Sequence, residues 1–396
     1  MKARIKVLSV LNEIGWGGDE SRLLSMAAGL DSSRFEHLVI TLLDHGSEMQ
    51  HAGLPDREKQ YRDMGVVVKS LSKEEPDTIT RSKPANGLQR KLAVFRRARR
   101  LARIIRRWKI DVIDARTAAY LVAAVAGKMT RTPTLITWYG LWDEDTISWT
   151  WPVTTSLLLA DGILTDSEVR ASQFRAHLHA GQGKVSVIPN GIPQPSSAYN
   201  RCESRKLFGF PDDPALRIIG QVARLIDYKG QHVLLRAAPK VLAQCPDAAF
   251  LLVGYTLNED YQEELERLAQ ELGIGDRVRI VSYPGRIGDV WSAIDIHVHP
   301  SLFDSQPIAI IEGMSLGKPA VVTSAGGIPE MVEHGRTGLV VPPGDPMALA
   351  NAILQLLESP QLAGRLGEAA RQRYEERYRP ETMISALENI FVRMAN

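Results

Sequence analysis

The sequence predicts an α/β protein built from two doubly wound parallel-sheet domains of similar size. Short apolar runs alternate with helical patterns along most of the chain, which is typical of parallel strands connected by helices. A stretch rich in proline, glycine, asparagine and serine, residues 188–197, separates two series of such runs. The length of 396 residues also exceeds the size of most single cores. Ligands of such domains bind outside the carboxyl ends of the strands, here in a cleft between the two domains.

Each apolar run is predicted to be one strand. In the first domain the strands are Ile5–Leu11, His37–Leu43, Val66–Leu71, Asp111–Asp114, Thr134–Thr137, Gly162–Thr165 and Val185–Ile188. In the second domain they are Arg217–Val222, Ala249–Val253, Val278–Val281, Ile294–His299, Pro319–Thr323 and Gly338–Val341. Gly46–Leu88 has few strong signals besides one of these runs, and we expect a long, mobile loop within it.

Composition excludes several classes of protein. The 48 Lys and Arg residues nearly balance the 46 Asp and Glu residues, and the net charge of +2 argues against a strongly basic nucleic-acid binder. Two cysteines, Cys202 and Cys245, cannot form a disulfide framework or a cysteine-rich zinc site, and they fit a reducing compartment. No apolar stretch approaches the roughly 20 residues of a membrane span, and the start of the chain lacks a cleavage site. We therefore expect a cytoplasmic protein that is soluble or lies on a membrane surface.

The near-neutral total hides a basic first half and an acidic second half. The surplus of the first half comes mainly from Arg90–Lys109, which holds ten basic residues and no acidic one. On a helical wheel one face of this segment is apolar and suits packing on a sheet, while the opposite face is cationic. The apolar face comprises Val94, Ala98, Leu101, Ile105 and Trp108, and the cationic face Arg96, Arg99, Arg100, Arg103, Arg106 and Arg107. The cationic face is either a solvated surface or a docking site for anionic lipid; RNA fits less well, because no aromatic residues interleave there.

A glycine-rich turn follows the first strand. The sequence Gly15-Trp-Gly17-Gly18-Asp-Glu precedes a helical pattern at Ser21–Leu30. Glycines allow a backbone to approach a ligand closely, and the helix start offers free N–H groups to an anion. A tight strand–helix turn explains the same residues equally well.

Two cations follow the first strand of the second domain, in Gly220-Gln-Val-Ala-Arg224-Leu-Ile-Asp-Tyr-Lys229-Gly230. Arg224 and Lys229, five residues apart, suit a diphosphate, because arginine offers a planar fork and lysine a point charge. The alternative is a solvated loop with ordinary charges.

Two carboxylates, Asp304 and Glu312, lie eight residues apart in Pro300–Pro319. From Ile308 the pattern predicts an apolar helix, whose first N–H groups at Pro307–Ala309 would face a phosphate, although Pro307 itself has no N–H. A buried Glu312 needs a partner, and a pair of sugar or ribose hydroxyl groups would serve. The alternative is a charge favoured by the helix dipole, which fits Asp304 better.

Three further patterns have a structural explanation. Thr323–Glu330 indicates a strand, a glycine turn and a helix, for which turn chemistry is sufficient. Asp143-Glu-Asp145 is a pair of the kind that holds a metal beside a diphosphate, but the chain already supplies cations for that group. His297 and His299 share one face of a strand without a third ligand, and packing in the core or in a cleft explains them. We expect no metal site.

Taken in order, these motifs resemble those of the family-4 glycosyltransferases. The resemblance is carried by Gly17-Gly18, Ile188-Pro-Asn190-Gly191, Arg224…Lys229-Gly230, Asp304…Glu312 and Gly326-Gly327-Ile-Pro-Glu330. It covers nearly the whole chain, being strong over residues 161–344 and loose before residue 90. It implies the GT-B fold, in which two Rossmann-like domains face each other across a cleft. The acceptor domain would be residues 1–190 and the donor domain residues 191–381, with a last helix in 382–396 that crosses back onto the first domain.

The resemblance also implies a role for each residue. Arg224 and Lys229 would bind the diphosphate of a nucleotide sugar and stabilise its charge as it leaves, without a metal. Glu312 would hold the ribose hydroxyl groups, and Asp304, where the family often has glutamate, would lie near the donor sugar. The remaining donor contacts would be Ser282 and Tyr283 beside the base, Pro307, Ile308 and Ala309 at the phosphates, Gly17 and Gly18 from the first domain, and Asn190 at the hinge.

One segment departs from the family pattern. Family members usually carry a histidine at the end of a first-domain strand, where it contacts the donor sugar. Here the segment is Thr137-Trp138-Tyr139-Gly140-Leu-Trp142, and Tyr139 takes that place. A phenol can bond a sugar hydroxyl group, so we expect Tyr139, Trp138 and Trp142 to line the sugar or acceptor pocket. A changed donor or a lost activity would also fit.

The resemblance therefore implies a retaining glycosyltransferase. The donor would be a nucleoside-diphosphate sugar, with UDP slightly favoured over GDP and no cofactor, and the acceptor a glycan or a lipid-linked precursor. The Arg90–Lys109 helix would allow contact with an anionic membrane at its cytoplasmic face. Two alternatives stay open: a nucleotide-sugar epimerase, which needs acid and base groups around the sugar, and a non-catalytic partner subunit that binds the nucleotide sugar.

Overall fold

The structure, a computed structural model, describes residues 4–14, 18–43, 57–74, 87–139, 150–178, 182–255 and 259–396. Contacts within the chain divide it into two compact units. Unit 1 comprises Met1–Gly191 and Pro380–Asn396, and unit 2 comprises Ile192–Arg379. Each unit is built on one parallel sheet with helices between successive strands, which confirms the predicted fold class.

The described part of unit 1 contains a sheet of seven parallel strands. They are β1 (Ile5–Leu11), β2 (Phe35–Thr41), β3 (Val67–Ser70), β4 (Val112–Arg116), β5 (Thr134–Thr137), β6 (Gly162–Thr165) and β7 (Val185–Val187). The order across the sheet is β3-β2-β1-β4-β5-β6-β7, which changes direction between β1 and β4. Such a switch point, at the carboxyl ends of the strands, is where doubly wound sheets bind ligands.

The helices of unit 1 cover both faces of this sheet. They are α1 (Gly18–Gly29), α2 (Arg57–Asp63), α3 (Leu71–Glu74), α4 (Gly87–Trp108), α5 (Tyr120–Thr130), α6 (Trp151–Leu159), α7 (Glu168–Leu178) and, from the end of the chain, α16 (Pro380–Ala395). Helix α16 contacts α1 and β1. Its residues Met383, Leu387 and Phe391 lie in one apolar cluster with Val7 and Leu23, so the C-terminal segment completes the core of unit 1.

Helix α4 is amphipathic, but its buried face is wider than the helical wheel predicts. Ala98, Leu101 and Ile105 are buried as expected. The assignment of Arg100 to the cationic face is wrong, because Arg100 is buried and its Nη2 donates to the Leu71 carbonyl at 3.1 Å. A carbonyl partner is what allows a guanidinium to be retained inside the protein. The other arginines of that face, Arg96, Arg99, Arg103, Arg106 and Arg107, are exposed.

Unit 2 contains, within the described residues, a sheet of six parallel strands. They are β8 (Arg217–Val222), β9 (Ala248–Val253), β10 (Val278–Val281), β11 (Ile296–His299), β12 (Ala320–Thr323) and β13 (Leu339–Val341). The order β10-β9-β8-β11-β12-β13 again reverses beside the first strand of the unit, between β8 and β11. The loops after these two strands therefore meet at the switch point.

The helices of unit 2 connect these strands and cover the sheet. They are α8 (Arg201–Leu207), α9 (Gln231–Gln244), α10 (Glu259–Glu271), α11 (Ile287–Ala293), α12 (Ile308–Ser315), α13 (Ile328–Met331), α14 (Pro346–Glu358) and α15 (Pro360–Arg377). Three of the helices described in unit 2 begin with side-chain caps: Asn200 and Glu203 form a capping box on α8, Asp345 accepts from the first turn of α14, and Ser359 accepts from the Leu362 N–H of α15.

All the predicted strands are present, with ends within two residues of the predicted ones. Helix α2 was missed in the segment where a long loop was expected, because its sequence is polar and only Tyr61 supplies a fully buried apolar side chain. Residues 46–56 and 75–86 of that segment lie outside the described residues. No helix in the described part of the chain combines the length and the apolar character that a membrane crossing requires.

The tight backbone approach before α9 can be tested by comparing two glycines, one in a crowded place and one in an open place. Gly230 has a φ of +71°, and a Cβ there would lie 2.0 Å from the Pro300 carbonyl oxygen. Gly273 has a φ of +68° with open space around it. We expect Gly273→Ala to cost about 1–2 kcal/mol of unfolding free energy, the usual penalty of a left-handed alanine. Gly230→Ala should cost clearly more, because the backbone must also move. Thermal unfolding measures both, and equal losses would contradict the clash.

Candidate functional site

Two buried glutamines fix the loop after β8. Gln221 Nε2 donates to the Lys229 carbonyl at 2.7 Å, and Gln231 Nε2 donates to the Arg224 carbonyl at 2.7 Å. The backbone at both predicted cations is therefore held from inside the unit. These glutamines were not predicted, because nothing in the local sequence pattern shows that their amide groups turn inward.

Arg224 and Lys229 lie in different electrostatic environments. Arg224 is half-buried, and its Nη2 donates to the Tyr228 hydroxyl at 2.8 Å. Among the described residues no carboxylate forms an ion pair with Arg224, whereas the buried Lys229 ammonium pairs with Asp304. Arg224 thus offers an uncompensated positive charge, while the charge of Lys229 is shared with its partner. That both cations serve one diphosphate stays a prediction.

The Asp304 carboxylate gathers four donors. Its Oδ2 accepts from Lys229 Nζ, from His299 Nε2 at 3.1 Å and from Ser301 Oγ at 3.2 Å, and its Oδ1 accepts from the Ser305 N–H at 3.1 Å. Burial alone would raise the pKa of Asp304, but the Lys229 charge and the His299 hydrogen bond outweigh burial and hold this pKa below its usual range. Asp304 is therefore an ionised carboxylate with a fixed orientation.

The glycine turn after β12 supports the same residue. Gly327 N–H donates to the Asp304 carbonyl at 3.0 Å. Gly326 has a φ of +51°, and a Cβ there would lie 2.0 Å from that carbonyl oxygen. Thr323 Oγ1 donates to the Ser301 carbonyl at 2.6 Å. The motif that the sequence explained by turn chemistry alone therefore also holds the backbone of the Asp304 loop.

Glu312 lies in α12, about one turn from its start. Its Oε2 accepts from Trp291 Nε1–H at 3.0 Å. Burial raises the pKa of Glu312 to about 7, against the opposing effect of the Trp291 hydrogen bond. The side chain is partly exposed, and within the described residues no second hydrogen bond to its carboxyl group is present. One carboxyl oxygen thus stays free for a ligand.

His297 lies between the residues that bond to the two carboxylates. Its ring centroid lies 4.9 Å from that of Trp291 and 5.8 Å from that of His299. Burial lowers the pKa of His297 well below its usual value, so the ring is neutral. Packing explains His297, whereas His299 also has a hydrogen-bonding role toward Asp304. In the described part of the chain, no group of three His, Cys, Asp or Glu residues could hold a metal ion.

The other predicted donor contacts of unit 2 lie at strand ends or at the start of α12. Ser282 is exposed directly after β10. The Tyr283 hydroxyl donates to Asp289 at 2.8 Å, and burial together with this bond raises the pKa of Tyr283 to about 12. Pro307 is the N-cap of α12, and Ile308 and Ala309 are half-buried in its first turn, where N–H groups have no intrahelical acceptor.

A cavity of about 380 Å³ adjoins Arg224. It lies beside the loop after β8 and against α10. Its lining residues are Arg224, Leu225, Ile226, Asp227, Tyr255, Tyr261 and Glu264. Arg224 therefore lines a space that a small polar ligand can enter, together with the acidic residues Asp227 and Glu264.

In unit 1, a network of buried charged side chains lies at the end of β4. Arg116 Nε donates to Asp114 at 2.7 Å and Arg116 Nη1 to Asp19 at 2.7 Å. Burial alone would lower the pKa of Arg116, but the two carboxylates outweigh it and raise this pKa. Ser9 Oγ donates to Asp114 at 3.2 Å and lies 2.9 Å from His37 Nε2. No residue of this network was predicted to be functional, because its members come from four separate segments of the chain.

Tyr139 and Asn190, both predicted contacts, meet at one residue that was not predicted. Arg22 Nη1 donates to Asn190 Oδ1 at 3.0 Å, and Arg22 Cζ lies 4.1 Å from the centre of the Tyr139 ring. Gly18 is the first residue of α1, the helix that carries Arg22. The end of β5, the start of α1 and the segment after β7 are therefore joined through Arg22.

Trp138 does not belong to this group. It is buried in the core of unit 1, where its ring stacks on Tyr120 with centroids 4.6 Å apart. The expectation that it lines a sugar pocket is wrong, because successive residues at a strand end point to opposite faces and Tyr139 takes the other face. Gly17, Trp142, Asp143 and Asp145 lie outside the described residues.

Comparison with known proteins identifies both halves of the chain. Residues 16–194 match the family described as Glycosyltransferase Family 4, and residues 203–373 match Glycosyl transferases group 1. The crystal structure of Anabaena HepE in complex with UDP has a TM-score of 0.79 at 25% identity, over 98% of this chain and 100% of that one.

Curated relatives carry names of the same kind. The D-inositol 3-phosphate glycosyltransferase of Streptomyces avermitilis is 31% identical over 244 residues, which is 59% of this chain and 52% of that protein. The alpha-D-kanosaminyltransferase of Streptomyces kanamyceticus is 30% identical over 172 residues, 43% of each chain. The chain thus spans about half the length of the curated relatives it matches. The two family matches, together with the two parallel-sheet units, show that this chain belongs to the family-4 glycosyltransferases of GT-B fold.

Proposed function

We propose that the chain is a retaining glycosyltransferase that moves a sugar from a nucleoside-diphosphate sugar to an acceptor without a metal ion. The observation that carries the proposal is the set of groups at the carboxyl edge of the unit 2 sheet. These are an unpaired guanidinium, an ammonium–carboxylate pair and a carboxyl group with one free oxygen, from Arg224, Lys229 with Asp304, and Glu312. The relatives named above are glycosyltransferases, which favours transfer over epimerisation.

Arg224 is the proposed contact of the diphosphate. A guanidinium binds phosphate oxygens in a bidentate manner, and the N–H groups of Ile308 and Ala309 add the positive end of α12. As the bond to the sugar breaks, negative charge grows on the diphosphate, and these fixed donors stabilise it. The leaving phosphate takes the proton of the acceptor, so the proposal needs no side chain as base.

Lys229 and Asp304 act together in this proposal. His299 and Ser301 fix the carboxylate, and the carboxylate in turn fixes the ammonium. We assign the ammonium to the diphosphate and Asp304 Oδ1 to a hydroxyl group of the donor sugar. Orientation of both groups before the donor binds reduces the entropy that binding must overcome.

Glu312 is the proposed partner of the ribose, and the backbone at Ser282 and Tyr283 flanks the base. UDP is favoured over GDP, and the UDP complex of HepE supports this choice. Gly17, Gly18, Tyr139 and Asn190 are proposed to contact the donor from unit 1, with Asn190 at the hinge. The proposed acceptor is a glycan or lipid-linked precursor. The proposed location is the cytoplasm, which the two free cysteines, Cys202 and Cys245, fit.

The donor site can be tested by thermal unfolding in the presence of UDP, GDP or ADP. Ligand at a hundredfold excess over its dissociation constant stabilises the folded state by about 2.7 kcal/mol, so at least one nucleotide should raise the melting temperature. Arg224→Ala should lose most of this shift and reduce transfer about 10²–10³-fold. Arg236→Ala removes an exposed arginine of α9 and should retain both. If none of the nucleotides shifts the wild-type protein, the donor site is wrong.

The raised pKa of Glu312 predicts that donor affinity depends on pH. An ionised carboxylate accepts from both ribose hydroxyl groups, so affinity for UDP should fall as the pH drops from 8 to 6, through the pKa of about 7. Glu312→Gln should bind UDP about tenfold more weakly at pH 8, and its remaining pH dependence should come only from the terminal phosphate of UDP, whose pKa is about 6. Calorimetric titration at each pH measures this, and parallel profiles for the two proteins would refute the assignment.

The same shift has the opposite consequence for stability. Because the folded-state pKa of Glu312 is above its unfolded value of 4.5, the stability linked to its protonation is present at low pH and is lost as the pH rises through about 7. Glu312→Gln should therefore melt above the wild type at pH 8 and close to it at pH 4. If Glu312→Gln instead melts below the wild type by the same amount at both pH values, burial of the ionised Glu312 carboxylate does not destabilise the folded state.

Helix α4 carries the proposed contact with an anionic membrane. Its exposed arginines stand beside apolar side chains, since Leu92 and Phe95 are each 47% exposed. Trp151 of α6 is 45% exposed, and the Lys91 ammonium lies 5.3 Å from its ring centre. Cations attract anionic headgroups, while exposed aromatic and aliphatic side chains enter the interface. This combination favours a lipid surface over a merely solvated helix.

Sedimentation with phosphatidylserine vesicles tests the contact. Replacing Arg96, Arg99 and Arg103 by glutamate should weaken binding at least about 100-fold at low salt, because each cation near the surface contributes about 1 kcal/mol. The matched control replaces Arg267, Arg371 and Arg377, three exposed arginines of unit 2, and should bind like the wild type. Equal losses in both triple variants, or no binding by the wild type, would exclude α4 as the docking element.

A further inference from the structure

A buried cation of unit 1 has no role in the proposed donor site. Arg22 is fully buried, and its Nη1 donates to the Ile188 carbonyl and to Asn190 Oδ1, each at 3.0 Å. Its Nε and Nη2 are also buried and donate to no acceptor in the described part of the chain. A guanidinium stays protonated in proteins, so these N–H groups stay without an acceptor at an energetic cost.

Tyr139 presents a second group of this kind at the same place. Its ring lies against the guanidinium, with Arg22 Cζ 4.1 Å from the ring centre. Its hydroxyl group is buried and has no partner within the described residues. Cation–π stacking favours the pair, but it satisfies neither the N–H groups nor the hydroxyl group. Donors from two side chains thus lie together without an acceptor.

The carboxylates of this region do not supply the acceptor. Asp19 and Asp114 each bond to Arg116 at 2.7 Å. Asp166 acts on Arg22 through its charge, but it accepts no hydrogen bond from Arg22 Nε or Nη2. Arg116 and Arg22 are both buried arginines of one unit, and only Arg116 has its charge compensated by direct contact.

The position of Arg22 is that of a ligand site. Its guanidinium reaches Tyr139 beyond β5 and Ile188 beyond β7, and Arg22 itself lies in the second turn of α1. Ligands of parallel sheets bind at these carboxyl ends, and the positive end of a helix dipole favours an anion. Two oxygens of a carboxylate or phosphate match Nε and Nη2 as a bidentate pair, and the Tyr139 hydroxyl group can donate to the same anion.

We propose that Arg22 and Tyr139 form a recognition site for an anionic oxygen group, a carboxylate or a phosphate, carried by the acceptor or by the transferred sugar. The proposal rests on the glycosyl transfer proposed above. Tyr139 is the half-exposed member of the pair. The ring therefore covers the guanidinium, and the anion enters as the ring turns aside. The site makes the enzyme selective for an acidic substrate over its neutral analogue.

Matched substrate pairs test the proposal. Dissociation constants are measured by calorimetry on the full chain saturated with the nucleotide that shifts its melting temperature. The pairs are glucuronate against glucose, for a carboxylate, and glucose 6-phosphate against glucose and inositol 3-phosphate against inositol, for a phosphate. At least one anionic member should bind about tenfold or more tightly than its neutral partner. The pair that shows the preference identifies the anion.

Variants separate recognition from a purely structural role. Arg22→Lys keeps the charge but not the fork, and should retain the melting temperature while losing most of the preference. Arg22→Met should abolish the preference yet keep the nucleotide-induced shift. Arg116→Met, the matched control, should melt far below Arg22→Met, because it leaves two buried carboxylates unpaired.

The proposal is overturned if no anionic member is preferred, if the preference survives in Arg22→Met, or if Arg22→Met weakens binding of neutral and anionic members equally. A wild type that shows no nucleotide shift would instead refute the donor site. The two failures are therefore distinguishable.

Discussion

The ionised carboxylate of Asp304 is the constraint on which the site of unit 2 depends. It is buried, and it stays charged because an ammonium, an imidazole, a hydroxyl group and a backbone N–H converge on it. Lys229 could not be buried without this counterion. The glycine at 326 follows from the same requirement, because a side chain there would collide with the Asp304 backbone. One buried charge thus ties together the ends of β8, β11 and β12.

The fold follows from the sequence because parallel strands are buried on both faces. Their apolar runs need no partner information to be recognised, and every strand end was predicted to within two residues. Where helices touch the core with few residues, the pattern is weaker. Helix α2 shows a single buried tyrosine, and Arg100 lies on a face that appears solvated until the Leu71 carbonyl is placed beside it.

The candidate site was predictable to a lesser degree. Charged residues at strand ends, such as Arg224 and Asp304, stand out because their chemistry differs from that of their neighbours. The residues that support the predicted positions do not, since Gln221 looks like an ordinary strand residue, and Trp291 and Arg22 look like ordinary helix residues. Their partners lie 8 residues away along the chain for Gln221, 21 for Trp291 and 168 for Arg22, and no local pattern encodes these contacts. Trp138 was wrongly predicted to line a sugar pocket for the same reason. It stands beside Tyr139 in the sequence, and only the folded structure shows that it packs in the core.

The two glutamines that hold the loop after β8 have a consequence of their own. An amide side chain has no proton to gain or lose between acidic and alkaline conditions, so the two hydrogen bonds that hold this loop do not change with acidity. A carboxylate in either place would face a carbonyl oxygen and repel it when ionised. These two hydrogen bonds thereby persist while the carboxyl group of Glu312 in α12 changes its protonation state nearby. The side chains that hold the loop and the side chain that titrates are therefore different chemical groups on the same edge of the sheet.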